Sequence, residues 1–340
     1  MTGSPAVRGV ERIDPSSERN VADAAALETA YWREVLGPDE PEFPPEELVR
    51  GLLRVGRPDI DATGLLVRDG ERPVGLGIVD IRTGHGNEHM AWVPDLYVLP
   101  SERRRGIGTA LLDSIIAVAK DAGRTLVIGG HPNDHVAGRA FAAAKGAEPG
   151  NAERQSRLVL ADVDRALMQA WIARASERAG GYSPVAFDDR CPDELLDSFV
   201  QMTRVMNTAP RPDSLDEFVF TAEHRRANEA EREAVDAHQW VVCARHDETG
   251  DLVAYTETVF TPHRSWLVEQ GDTAVDPAHR NLGLGRWVKA VNILRILDER
   301  PQARVIETWN DGTNQPMLGI NVEMGFRPVA VWRDAELTSI

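Results

Sequence analysis

A fourteen-residue stretch of this chain recurs 177 positions further on: Asp95, Val98, Pro100, Arg103, Gly106 and Gly108 return as Asp272, Val275, Pro277, Arg280, Gly283 and Gly285. Six identities in fourteen positions mark an internal repeat, which restricts the chain to two copies of one folding unit. The length agrees, because 340 residues divide into two domains of the usual ~100–200 residues.

The flanks repeat in kind. "GLLVRDG" (64–70) and "RPVGLGIVDI" (72–81) read as strands joined by a turn, as do "WVVCARHD" (240–247) and "LVAYTETVF" (252–260). Two helical patterns precede each pair, over 18–37 and 45–56 and then over 192–207 and 214–235. Each repeated stretch opens an apolar-periodic helix (108–123, 285–300), then a strand (125–130, 303–309), a short helix and a closing strand ending in "RLVL" (157–160) or "PVAVW" (328–332). The expected fold class is therefore α/β in two tandem domains, 1–160 and 182–340, joined by a linker helix over 161–181 that a glycine pair ends.

Composition removes several function classes. A net charge of −16 disfavours nucleic acid and anionic membranes, because phosphate contacts need a basic field. No run approaches the ~18 apolar residues of a membrane span. The N-terminus lacks the basic end and apolar core of a signal peptide, so the expected compartment is the cytoplasm. Cys191 and Cys243 have no second cysteine nearby and read as reduced, structural residues. His85/His89 and His131/His135 have the i, i+4 spacing of zinc ligands, but they sit in glycine- or proline-bearing loops without a third ligand, and no metal is expected. "EHRRANEAEREAVDA" reads as a solvated helix face.

The repeated turn carries the chemistry. Between a strand and a helix, such a turn aims unpaired backbone N–H groups at one point, at the positive end of the helix dipole, and so makes an anion site. Glycines allow close approach, and the leading arginine can add a charge-assisted contact to phosphate. A Walker loop would need GK[ST] after the last glycine, where "GTALL" and "GRWVK" stand instead, and a dinucleotide fingerprint would need a third glycine where Leu111 and Val288 stand. Alone, R-x-x-G-x-G is a loose string that an ordinary helix start also explains.

In its context, a strand with V-x-P, then R-x-x-G-x-G, then helix, strand and helix, the motif resembles the GNAT acetyltransferase superfamily in both halves. "HRNLGLGRWVKAVNILRILDERPQARVIETWNDGTNQPMLGINVEMGFRP" is similar to the C-terminal domain of tandem GNAT proteins of actinobacterial type, the class that includes mycothiol synthase. The resemblance implies a mixed, mostly antiparallel sheet flanked by helices in each half. It also implies an acyl-CoA, acetyl-CoA foremost, lying where the fourth and fifth strands part. The implied cofactor contacts are Leu96, Tyr97, Val98, Arg103, Arg104, Arg105, Gly106, Ile107, Gly108, Thr109, Asn133, His135 and Phe141 in the first half. In the second they are Thr273, Ala274, Val275, Arg280, Asn281, Leu282, Gly283, Leu284, Gly285, Arg286 and Asn314.

Acyl transfer to an amine needs a base and donors for developing charge. The glutamate that many family members use as base falls on Glu269 in the second half, whereas Trp92 holds that place in the first. Asp272, shared with Asp95, could assist. The tyrosine that commonly protonates the leaving thiolate is replaced by Asn321 and Ala142, leaving Asn321, water or the acceptor as proton source. Phe326 keeps the family's "GF" pair and Ala147 does not. The expectation is a small-molecule N-acetyltransferase, with a role in secondary metabolism such as antibiotic biosynthesis. Its second domain would react through Glu269, Asp272 and Asn321, while its first binds acetyl-CoA structurally, in a monomer or homodimer. The competing expectation is a non-catalytic acyl-CoA-binding sensor or scaffold.

Overall fold

The strands β1 (Val10–Arg12), β2 (Ile60–Asp69), β3 (Arg72–Arg82) and β4 (Met90–Val98) form one antiparallel ladder, with β5 (Leu126–Pro132) added parallel to β4. This computed structural model describes residues 9–55, 60–83, 86–178, 180–208, 214–338 and 340. Helix α1 (Glu18–Leu36) starts where the Ser17 side chain accepts the Asn20 N–H, and its Val21, Leu27 and Tyr31 pack on one sheet face with Leu66, Leu76, Ile78 and Tyr97. A short helix α2 (Pro45–Glu47) continues as a wider turn over Leu48–Leu52. Helix α3 (Ile107–Asp121) covers the other face, setting Ile107, Leu111 and Ile115 against Leu65, Val67, Val79 and Val93. Helix α4 (Val136–Ala144) follows β5.

The chain continues with β6 (Glu148–Val159), α5 (Arg165–Arg178), β7 (Tyr182–Asp188), α6 (Asp193–Thr203), α7 (Ala222–Ala234), β8 (His238–His246), β9 (Leu252–Phe260), β10 (Leu267–Val275), α8 (Leu284–Glu299), β11 (Val305–Asp311), α9 (Gln315–Met324) and β12 (Arg327–Thr338). Strands β7 to β10 are antiparallel neighbours, and β11 joins β10 in parallel. Among the described residues the helix expected over 214–235 begins only after Thr221, whose hydroxyl accepts the His224 N–H, and Phe218 and Val219 stay exposed ahead of it. The chain divides into two compact units: the part up to Ala152 with Ala330–Ile340, and Glu153–Val329.

Each unit is completed by the strand that closes the other repeat. Residues 332–338 of β12 pair antiparallel with β5, and residues 153–159 of β6 pair antiparallel with β11. The repeat boundaries at 160 and 182 therefore differ from the unit boundaries. The helix expected as a linker, α5, belongs to the second unit, where Met168, Trp171 and Ile172 pack with Ile293, Ile296 and Leu297 of α8.

Two irregularities shape the middle of both units. The parallel pairing of β4 with β5 covers only Met90–Val93, and that of β10 with β11 only Leu267–Gln270, so the rest of β4 and β10 leaves its neighbour. Just there the register slips by one residue: Ile78 opposes Asp95 but Asp80 opposes Trp92, and Thr256 opposes Thr273 but Thr258 opposes Gln270. A bulge of this kind bends the strand and re-aims the side chains beside it. No described helix is long and apolar enough to cross a membrane. Both cysteines are free and buried.

Candidate active site

The two arginine-glycine turns share one backbone. Arg103 and Arg280 are extended, Arg104 and Asn281 take φ of +64° and +68°, and Gly106 and Gly283 take +82° and +86°. Glycine holds this left-handed position without the Cβ penalty that other residues meet. Each guanidinium ties the turn to the strand before it, Arg103 Nε donating to the Val98 carbonyl at 3.0 Å and Arg280 Nε to that of Val275 at 3.3 Å. The first helical bonds run from Ala110 to Gly106 and from Trp287 to Gly283, which leaves the N–H groups of 107–109 and 284–286 ahead of the helical ladder. The side chains of Ile107 and Leu284 are buried in the core, so these residues offer a ligand their backbone only. A Cβ on Gly108 would stand 3.3 Å from the Phe141 ring, and one on Gly285 3.4 Å from Val275, so both glycines let the helix lie flush against the strand end.

In the first unit the lips of the opening are bridged. Glu34, near the end of α1, accepts Arg103 Nη2 on both carboxylate oxygens (2.9 and 2.7 Å), the Tyr97 hydroxyl at 3.1 Å, and lies 2.8 Å from His135 Nε2. Arg103 follows β4 and His135 follows β5, so one carboxylate spans the gap between the diverging strands. Partial burial opposes its charge, but the bonds from His135 and Arg103 outweigh this and hold its pKa below the usual glutamate value. His135 also caps α4 through Nδ1, and the Asn133 N–H is taken by the Val331 carbonyl. Arg105 pairs with the buried Glu102.

The second unit has no such bridge among its described residues. Asn314 caps α9 by accepting the Met317 N–H at 3.3 Å, in the role His135 has in α4. Arg286 is bound to Glu323 of α9 at 2.9–3.0 Å, and His279 Nδ1 lies 2.7 Å from the Tyr182 hydroxyl. The Thr273 hydroxyl bonds that of Thr256 at 2.8 Å. Asn321, where the family tyrosine would stand, is 3% exposed and donates to Asn310 Oδ1 at 2.8 Å. Lys289 of α8 is buried beside the Phe326 ring, and burial alone pushes its ammonium down to about 7.

On the face opposite α8 the second unit gathers carboxylates. Glu269 is 58% exposed, with Arg264 3.9 Å away. Asp272 accepts the Tyr255 hydroxyl on Oδ2 at 3.3 Å; burial and then the charge of Glu257 raise its pKa to about 7, against the lowering effect of Tyr255. Glu257 accepts Gln239 Nε2 at 2.9 Å, and its Oε1 lies 3.0 Å from where a Cβ on Gly271 would be, so the glycine in the bulge makes room for it. In the first unit Asp95 is likewise raised to about 7 by burial and by Asp80, which is wholly buried and takes Arg54 Nε at 2.9 Å. The registers show that these partners are not equivalent. Asp80 opposes Trp92 as Val259 opposes Glu269, so Asp80 stands where the second unit has Val259.

The expected residues thus fall into two sets, the turns with the parting strands, and the carboxylates behind them. Glu34, Glu257, Asp80 and Lys289 were not expected; the one local trace is the polar alternation T-E-T inside the apolar strand "LVAYTETVF". The second unit fits an acyl-CoA: an unpaired strand edge for an amide-bearing arm meets an open helix N-terminus for a diphosphate. His85 lies outside the described residues, and His131 Nδ1 sits 3.0 Å from the Pro132 carbonyl.

Residues 25–145 match the family described as "Acetyltransferase (GNAT) family". The chain is 28% identical over 315 residues to the mycothiol acetyltransferase of Amycolatopsis mediterranei, covering 87% of this chain and 94% of that one. It is 26% identical over 328 residues to that of Clavibacter michiganensis, covering 85% and 91%. Among solved structures, a tandem GNAT protein from the clavulanic acid biosynthesis pathway superposes with a TM-score of 0.77 at 26% identity, covering 98% of both chains. A GCN5-related N-acetyltransferase from Sphaerobacter thermophilus shares the fold with a TM-score of 0.68 at 16% identity, covering 99% of this chain and 97% of that one. With two copies of the turn, the parting strands and the bulge, the chain matches the acetyltransferase (GNAT) family over residues 25–145 and is similar along nearly its whole length to a tandem GNAT protein, a family whose acyl donor is acetyl-CoA or another acyl-CoA.

Proposed function

We propose that the second unit transfers an acetyl group to an amine of a small molecule, and that the first unit holds acyl-CoA as a structural ligand. The observation that carries this division is the contrast between the two openings: Glu34 bridges the first, while among the described residues no carboxylate bridges the second, whose strand β10 carries the exposed Glu269 and the half-buried Asp272. The likeness to proteins named mycothiol acetyltransferase supports a small-molecule acceptor, and the likeness to a protein of the clavulanic acid pathway supports a place in secondary metabolism.

Acyl-CoA, when bound, supplies the acyl group as a thioester. Gly283 and Gly285 keep the backbone open to a diphosphate, the N–H groups of 284–286 bind it, and the free edge of β10 aligns the arm. The exposed Glu269 receives a proton from the acceptor ammonium, through water where the acceptor stands off. Asn321 is an amide and supplies no acid; it holds Asn310 in place, and solvent protonates the leaving thiolate.

The missing phenol favours one other reading, a non-catalytic acyl-CoA sensor. Thiol release from acetyl-CoA with a panel of small amines separates the two. Turnover that falls at least tenfold in Glu269→Gln supports the transferase, while tight acetyl-CoA binding without turnover on any amine supports the sensor.

A further inference from the structure

We propose that Glu257 is a positioning residue that tunes Asp272 into the second proton acceptor of the transferase site, the two acting as one carboxyl pair across the bulge of β10. This rests on the transferase reading of the second unit. Glu257 is held by Gln239 on one side and given room by Gly271 on the other, and the residue next to that glycine is Asp272. Asp272 Oδ2 is taken by Tyr255, two positions before Glu257 on the same face of β9, which leaves Oδ1 for an acceptor.

The surrounding charges do not quench the pair. From α7 come Arg225, which donates to Gln239 Oε1 at 2.7 Å and to Glu229, and Arg232, Glu229 and Glu231; from β8, Gln239 and Cys243; from β9, Tyr255; from β10, Glu269. Arg232 is close enough to feel Glu257, yet among the described residues no cation lies within ion-pair distance of Glu257 or Asp272. The first unit makes the opposite choice. Asp80 is wholly buried and bound to Arg54, and Asp95 is 5% exposed, so that carboxyl pair is tied to a cation and sealed while Glu257 and Asp272 stay half-buried.

A carboxyl that titrates near neutrality can take a proton at working pH and give it up afterwards. The acceptor nitrogen loses one proton to Asp272 Oδ1 and forms its bond to the acyl carbon, the C–S bond breaks, and the released thiolate takes a proton from solvent. Glu257 raises the basicity of Asp272 by its charge and does not touch the reacting atoms.

The test uses the full chain labelled with carboxyl-¹³C aspartate, with Asp272→Asn and Asp95→Asn assigning the two high-titrating signals. Asp272 is expected to titrate near pH 7 and to move down by about one unit or more in Glu257→Gln. In parallel, the acid limb of kcat/KM should shift to lower pH in Glu257→Gln and kcat at pH 8 should fall severalfold, with KM for acetyl-CoA within about twofold of wild type. Titration of Asp272 in the ordinary aspartate range, or a signal and pH profile unmoved by Glu257→Gln, would overturn the proposal. The expected titration without turnover on any amine would instead count against the transferase reading and leave the coupled pair standing.

Discussion

Arg103 Nη2 donates to both carboxylate oxygens of Glu34, at 2.9 and 2.7 Å, across 69 residues of sequence. The guanidinium that leads the first arginine-glycine turn is therefore already paired with an anion of the chain's own, and a diphosphate that used Arg103 and His135 would have to displace it. Such charge-assisted bonds are the stronger kind, about 1.5–3 kcal/mol each.

Glu34→Gln keeps the shape and removes the charge. Acetyl-CoA should bind the first unit about tenfold more tightly or better, read by titration calorimetry at fixed salt. Unchanged affinity would mean that Glu34 and the ligand do not compete.

The two turns have one backbone but are expected to serve different ends, and charge reversal separates them. Gly106 and Gly283 sit at φ of +82° and +86°, where any side chain is strained, and a glutamate there would also repel an anion. Gly106→Glu should remove one bound acyl-CoA in native mass spectrometry and spare turnover; Gly283→Glu should remove turnover. The reverse pattern would exchange the roles assigned to the two units.

Lys289 offers a stability test with a defined sign. Burial lowers its folded pKa to about 7 from an ordinary lysine value of 10.5, so its neutral form is the one the fold favours. Below pH 7 the fold must keep a charged ammonium in the core, and its stabilising balance is lost as pH falls from 10.5 through 7. Lys289→Met should therefore raise stability most at pH 6, on the order of 1–4 kcal/mol, and least above pH 10 in denaturant titrations. A gain independent of pH would show that packing and not charge limits the site.

Much of the architecture is legible locally. The turns announce themselves because only glycine tolerates the left-handed positions at 106 and 283, and α1 is bounded by a serine cap and a glycine stop within its own few residues. The start of α7 was not legible: "SLDEFVF" carries helix formers, yet it forms no helix ahead of the Thr221 cap, where Asn207 takes both backbone groups of Phe218. The closing strands were legible as strands but not in their destination. An edge strand finds its partner by backbone pairing, which sequence pattern does not address, and here β5 receives 332–338 and β11 receives 153–159.

The sequence by itself determined the duplication, the two arginine-glycine turns and the kinds of element around them, since each depends on backbone conformations and periodicities encoded within a few residues. Only the tertiary structure decided which carboxylates meet. Both units share a one-residue slip in register, but Glu257 couples to Asp272 in one while Asp80, two positions further along its strand, is bound to Arg54 in the other, and α1 carries Glu34 to Arg103 from far along the chain. Electrostatic coupling depends on distance and burial, and neither is a property of any short stretch of residues.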